Sequence, residues 1–274
     1  MCAPGCMEHV TATLSRRSLF KGAAAAAAAA TTAGWGAGKA AAQAFPQFSR
    51  VVDLTHPFSP EFPTFFGTPG IALKRLKELK ADGFNMYEWT LLEHAGTHMD
   101  APIHFSADGA TVDALPASQL VVPLAVIDVR EKAAANPDYQ LTPADLTAWE
   151  QRWGRLPDNA CVALNSGWAQ HVGGDRFLGK DAKGVLHFPG FHPEATGWLL
   201  KERQVRGMAV DTLSLDHGVS TDFKTHYAWL PSGRWGIENI ANLDKVPATG
   251  ATLVAGLTKV KDATGGPARI FALV

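Results

Sequence analysis

The sequence predicts a mixed α/β (α+β) fold, arranged as one compact, strand-rich domain. Three observations carry this. β-compatible apolar runs alternate with helix-start signals along the chain. The composition, 46% hydrophobic and 19% charged, is that of an ordinary globular protein. A chain of 274 residues without an internal repeat is long enough to bury one substantial core.

The first 44 residues read as an address. Ser15-Arg16-Arg17-Ser18-Leu19-Phe20-Lys21 precedes Gly22 and a run of eight alanines, and Ala42-Gln43-Ala44 supplies a small-residue cleavage pattern before Phe45. The paired arginines resemble a twin-arginine export signal. The alanine run is too weakly apolar for a good membrane span. A periplasmic or secreted domain over residues 45–274, with no stable membrane anchor after cleavage, is the expectation. Cleavage there removes four basic side chains and one acid, moving the net charge from −1 to −4. It also removes Cys2 and Cys6, so Cys161 has no partner for an internal disulfide.

The domain then unfolds in order. Val51-Val52-Asp53-Leu54 is a short strand, and Met86 to Glu93 is a second, rich in β-compatible residues. Val121 to Val129 reads as a buried strand. Thr142-Pro143-Ala144-Asp145 starts a helix, with a Thr cap, Pro at the first position and an acid in the first turn. Leu146, Trp149 and Trp153 follow at helical spacing and are expected to face the core. Ala160–Leu164 is a strand in which Cys161 serves as a small buried hydrophobe. Pro193 to Gln204 is a second helix and Gly207–Thr212 the strand after it. Thr252–Val260 and Ala268–Val274 close the chain around the turn Asp262-Ala263-Thr264-Gly265-Gly266.

The near balance of 25 basic and 26 acidic residues, with no basic run, argues against nucleic acid as a partner. The chemistry concentrates instead in His94-Ala95-Gly96-Thr97-His98-Met99-Asp100-Ala101-Pro102-Ile103-His104-Phe105. Gly96 and Pro102 exclude a regular helix there. His98 and Asp100, two apart, fall on one side of an extended segment, and Gly96 lets the backbone turn so that His94 joins them. Two imidazoles and a carboxylate form a common open ligand set for Zn or Mn. His104 is either a further ligand or a general acid/base beside the metal. Asn165-Ser166-Gly167-Trp168 lacks the surroundings of a serine nucleophile.

The pattern His-x-Gly-Thr-His-x-Asp-x-Pro-x-His-Phe resembles the signature of the metal-dependent cyclase-type hydrolases, a family that includes bacterial kynurenine formamidases and isatin hydrolases. Val51 to His56, Gly207 to Ser214, and His226 followed by Gly236-Ile237-Glu238-Asn239-Ile240-Ala241-Asn242-Leu243 resemble its other landmarks in order. The resemblance spans roughly residues 50–274 and implies the family's swivelling β/β/α fold. It implies His94, His98 and Asp100 as ligands of a first metal and His104 as general acid/base. His226 and Glu238 would hold a second ion, with Asp100 bridging. Glu238 follows the formamidase pattern, whereas the isatin hydrolases tend to have Gln there and use one manganese, so one or two divalent ions, Zn or Mn, fit the resemblance. It also implies a homodimer or homotetramer.

Around this set, Phe62, Phe65 and Phe66 form an aromatic loop suited to covering a planar substrate. Trp168 resembles a pocket-wall position, and His217 is either a pocket residue or part of a surface turn. Asp211 and Ser214 either orient the site or cap a turn. His171, His187 and His192 read as solvent-exposed. The reading is an exported metal-dependent hydrolase of a small amide, formamide or cyclic amide. A non-catalytic periplasmic metal- or ligand-binding protein and a metal-assisted dehydratase or cyclase remain as alternatives on the same residues.

Overall fold

The computed structural model describes residues 48–274; the export signal read at residues 1–44 lies outside the described residues. In chain order the elements are β1 (Val51–Asp53), β2 (Ile71–Lys77), α1 (Leu79–Asp82), β3 (Met86–Leu91), β4 (His98–Asp100), β5 (Val121–Asp128), α2 (Arg130–Ala135) and β6 (Gln140–Leu141). There follow α3 (Pro143–Trp153), β7 (Cys161–Asn165), α4 (Asp175–Leu178), β8 (Gly190–Phe191), α5 (Pro193–Glu202), β9 (Gly207–Val210), α6 (Lys224–Trp229), β10 (Trp235–Glu238), β11 (Ala251–Leu257) and β12 (Gly265–Leu273).

The apolar runs become strands that bury both faces. On β5 and β7, Leu124, Val126, Cys161 and Ala163 point into one core cluster, and Ala125, Ile127, Val162 and Leu164 point into another. Period-two alternation into two cores makes such strands read as continuous hydrophobic runs. β5, β7, β9 and β10 pair in parallel, and β12, β11 and β5 pair antiparallel. The sheet runs β1-β12-β11-β5-β7-β9-β10-β4, and β4 pairs again with β12. The backbone bonds Leu54 N–H to Ile270 O and Ala268 N–H to Thr97 O put β1 and β4 along the same edge of β12. The sheet therefore closes on itself, and β4 has a partner on each side.

Inside the closed sheet lie Met99, Trp235, Ile237, Leu253 and Ile270. Outside it, Leu146 and Trp149 of α3, Ala195 and Leu199 of α5, and Trp229 of α6 cover Val162, Leu164, Met208 and Val210. The start of α3 is as expected: Asp145 accepts from the backbone N–H of Thr142 at 2.7 Å, and Pro143 opens the helix. Trp149 donates its indole N–H to Val126 O at 2.9 Å. Trp153 does not join the core; it is 44% exposed, with the Arg152 guanidinium over its ring. One further turn of α3 carries it past the edge of the sheet.

β2 was not anticipated from the sequence. Its apolar residues alternate with Lys74, Arg75 and Lys77, and it pairs only with β3 in a separate two-stranded ribbon. The last two strands start and stop earlier than expected, at Ala251–Leu257 and Gly265–Leu273. The glycines read as turn residues are thus the first rungs of β12 beside β4.

Cys161 is fully buried inside the closed sheet, and burial pushes its thiol well above the ordinary range. Cys161→Ser places a hydroxyl there with no room for water. The expected cost is about 1–3 kcal/mol in urea unfolding, and the native thiol should stay unreactive to a thiol reagent until the protein unfolds.

Candidate active site

β4 and β10 are antiparallel with Glu238 opposite His98 and Gly236 opposite Asp100. Residues opposite each other, and residues two apart, share a face. Met99 and Ile237 fill the core inside the sheet, so His98, Asp100 and Glu238 point outward, and all three are buried. His98 Nε2 lies 3.4 Å from Asp100 Oδ1 and 3.3 Å from Glu238 Oε2. His226, on α6, brings its Nε2 to 3.1 Å from Glu238 Oε1 and 3.7 Å from Asp100 Oδ2. His94 places Nδ1 2.6 Å from Asp100 Oδ1. His104 stacks on His94 with ring centroids 3.6 Å apart.

Two glycines clear the space. A Cβ on Gly236 would sit 2.8 Å from Leu215 and 3.4 Å from Asp100 Oδ2, and a Cβ on Gly265 would sit 2.5 Å from His94 Cε1. Both residues lie directly opposite Asp100, one on each neighbouring strand.

The outer nitrogen of each imidazole is committed to an oxygen. His98 Nδ1–H donates to Gly96 O at 2.9 Å, and His226 Nδ1–H donates to Asp216 Oδ2 at 2.6 Å. Asp216 also accepts from the backbone N–H groups of Thr225 and His226, which fixes the start of α6. The Thr264 hydroxyl donates to Glu93, so its oxygen accepts from His94 Nε2–H at 2.9 Å. These outer bonds set the tautomers. They turn three nitrogen lone pairs toward two buried carboxylates. His98 Nε2 and Asp100 Oδ2 have no hydrogen-bond partner among the described residues. Unpaired buried donors and acceptors of this kind are costly unless something fills the space between them. Lone pairs and carboxylates facing one point fit a divalent cation. Ligand-type atoms of His98, Asp100 and Glu238 lie within 4.8 Å of one another, as do those of His94, Asp100 and His104, and Asp100 is common to both groups.

Without a cation, protons take its place. Burial works against charge on His98, but the Asp100 and Glu238 carboxylates facing it outweigh burial and hold the ring at about 10. Burial is likewise overridden at His226, which is held well above its ordinary range by Asp100, Asp216 and Glu238. Asp100, despite burial, is held well below the usual carboxylate range by His226, His94 and His98. His104 behaves oppositely: burial lowers it to about 4, so it is neutral at pH 7.

The cluster forms one end of a pocket of about 320 Å³. Phe65, Phe66, Phe105 and Phe223 line the apolar remainder, with Leu213 and Ser214. Phe65 and Phe66 thus stand where the sequence placed them, while Phe62 packs behind them against Phe58 and Phe177. Trp168 does not line this pocket. It is buried in that same rear cluster with its indole N–H on Phe177 O. His217 is not in the pocket either; it lies in a surface groove with His192 and Asp222, because Asp216 before it turns inward to His226. Asp211 caps the turn at Ser166 and Trp168 by accepting their N–H groups, and burial raises it to about 6. His171, His187 and His192 are partly buried rather than exposed: His171 stands edge-on to Trp168, His187 pairs with Asp138 and His192 caps α5. Asp216, Thr264, Glu93 and Phe223 went unrecognised in the sequence. Each reaches the site from a different connection, and no local spacing links it to the histidine loop.

A closed mixed sheet bearing an outward histidine–carboxylate cluster defines a fold built around a cation-ready centre. The chain belongs to the cyclase family: the family described as "Putative cyclase" matches residues 52–217. It is 34% identical over 243 residues to an isatin hydrolase of Roseibium aggregatum, covering 82% of this chain and 91% of the relative. Among solved structures, isatin hydrolase A from Ralstonia solanacearum is 35% identical with a TM-score of 0.77, covering 82% of this chain and 92% of that one. An isatin hydrolase bound to the product analogue thioisatinate is 29% identical with a TM-score of 0.78, covering 95% and 99%.

Two outcomes follow for purified protein. Because His98 keeps its proton until about 10, taking up Zn or Mn at pH 7 should release protons. Calorimetry in buffers of different ionisation enthalpy measures this, and the affinity should rise as pH rises toward 10. Gly265→Ala, whose Cβ would meet His94 Cε1 at 2.5 Å and the Met99 carbonyl oxygen of β4 at 2.7 Å, should displace the His94 ring and the adjoining strand and weaken ion binding by about 10–100-fold in the same calorimetric titration.

Proposed function

We propose that the chain is a metal-dependent hydrolase of a small, flat amide, with an aromatic cyclic amide of the isatin type as the substrate class that fits best. The observation that carries this reading is the placing of three imidazole lone pairs and two carboxylates at one end of an aromatic pocket that also holds a neutral histidine. The relatives named isatin hydrolases support it.

His94, His98, Asp100, His226 and Glu238 would hold Zn or Mn. A divalent ion there supplies Lewis acidity toward a carbonyl oxygen and lowers the pKa of water. The chain's own residues do the remainder. Phe65, Phe66, Phe105 and Phe223 hold a planar ring and exclude bulk water from the polar end. His104, neutral at pH 7, accepts a proton at a ring nitrogen from the attacking water and returns one to the leaving nitrogen. Its stacking on His94 keeps it beside the cluster while its nitrogens stay free of described partners. Hydrolysis of a cyclic amide by this route opens the ring to a carboxylate and an amine. On this reading the address at residues 1–44 delivers the enzyme to the periplasm or beyond.

A panel of isatin-like lactams, aryl formamides and lactones, run with the Zn- or Mn-loaded protein, tests the proposal. Ring opening of a lactam is the expected result, and silence across the panel with tight binding of one compound would favour a binding protein instead. His104→Ala should keep its metal content and lose about 10²–10⁴-fold in kcat. A variant that turns over at the native rate would remove His104 from the mechanism.

A further inference from the structure

A second cavity, of about 480 Å³, opens where β7 and β9 end. Parallel strands commonly present ligand sites at their carboxyl ends. Asn165 is the last residue of β7, and Asp211 directly follows β9. Both line the cavity and both are buried. The cavity shares no lining residue with the metal-ready pocket, so it stands apart from the reaction described above.

Its floor is polar and unsatisfied. Asn165 is 3% exposed. Its Oδ1 accepts from the Gly167 N–H at 3.3 Å, which fixes the amide so that Nδ2 is the free end. Among the described residues no acceptor meets Nδ2, and the side chain lines the cavity. His56 lines it too, and its Nε2 is buried without a partner among the described residues. Buried donors and acceptors left unpaired are costly unless a guest meets them. The charged groups come in opposite pairs. Arg130 gives Nε and Nη2 to Asp128, which leaves Nη1 without a described partner. Lys245 donates to Asn242 Oδ1 at 2.8 Å and forms no ion pair with a described residue. Against these stand Asp244 at the rim and Asp211, which at about 6 is ionised at pH 7.

We propose that this cavity binds a small aminocarboxylate, a zwitterion of the free amino acid type. A lining of two cations and two anions favours a molecule that carries both charges over one that carries either alone. The carboxylate would take the Asn165 Nδ2–H donors and Arg130 Nη1, bonds that are strengthened by charge. The His56 ring nitrogen and Asp244 supply acceptors for the ammonium, and Pro57 and Leu243 supply apolar wall for the carbon skeleton.

Nuclear magnetic resonance of the isotope-labelled full chain reads the site directly, because the Asn165 side-chain amide gives its own pair of signals. Glycine and phenylalanine are the probes. Acetate and methylamine, each with one of the two charges, are the controls. Saturable shifts of the Asn165 pair are expected with at least one probe, at an affinity about 10-fold or more above that of either control. Asp244→Asn and Lys245→Met each alter an exposed side chain and should each weaken the bound probe by about 3-fold. Asn165→Ala, checked for folding by its backbone signals, should weaken it by about 10–100-fold. If that variant does not fold, the native Asn165 signals and the two rim variants carry the test. No saturable shift with either probe at about 10 mM overturns the proposal. So does a control that binds as tightly as the probes, which would make this a site for a single charge. Shifts confined to Phe65 and Phe223 would put the probe in the metal-ready pocket and overturn it as well.

Discussion

Two carboxylates buried on adjacent strands dictate the rest of the site. Asp100 and Glu238 each lie on the outward face of the sheet and beneath other structure. An isolated buried carboxylate is costly in a medium of low polarity. Two of them on adjacent strands, offset by two residues in register, are costlier. The surrounding chain is arranged to compensate. Three imidazoles face them, Leu215 N–H donates to Glu238, and each imidazole is turned by an oxygen behind it. Asp216, Gly96 O and the Thr264–Glu93 pair do not touch the reacting space. They determine which nitrogen looks into it.

The two histidine roles separate for the same reason. His98 and His226 lie within reach of both carboxylates and hold positive charge in the free protein. His104 stands one ring further out, stacked against His94, where burial outweighs the attraction of the acids. One cluster thus holds imidazoles that favour a cation or a proton and one that favours neither at pH 7. Environment, rather than residue type, makes this division.

Much of the fold was legible because β5, β7 and β9 bury both faces and so leave long apolar runs. The histidine loop was legible because its donors are close in sequence. Closure of the sheet was not, since it depends on β4, three residues long, finding β12 more than 160 positions later. β2 was masked by its lysines and arginine, which a strand outside the core tolerates freely. Trp168 misled because an indole beside a Gly-rich turn reads equally as pocket wall or rear packing; its N–H bond to Phe177 O turns it to the rear. Asp216 was not legible, because what matters is the helix start it caps nine and ten positions later. His217 stays at the surface because Asp216 before it turns inward to His226.

β4 is bonded along both edges, while the aromatic roof comes from separate connections that carry Phe65, Phe66, Phe105 and Phe223. Donor geometry is therefore set by backbone pairing, and the shape of the opposite wall by loops that can be lengthened or replaced. A lineage with this scaffold can change what it admits by editing the roof, without relearning how to hold its ion. Divergence in substrate should then leave its mark on the connections before β2 and around α6, with the three residues of β4 unmoved.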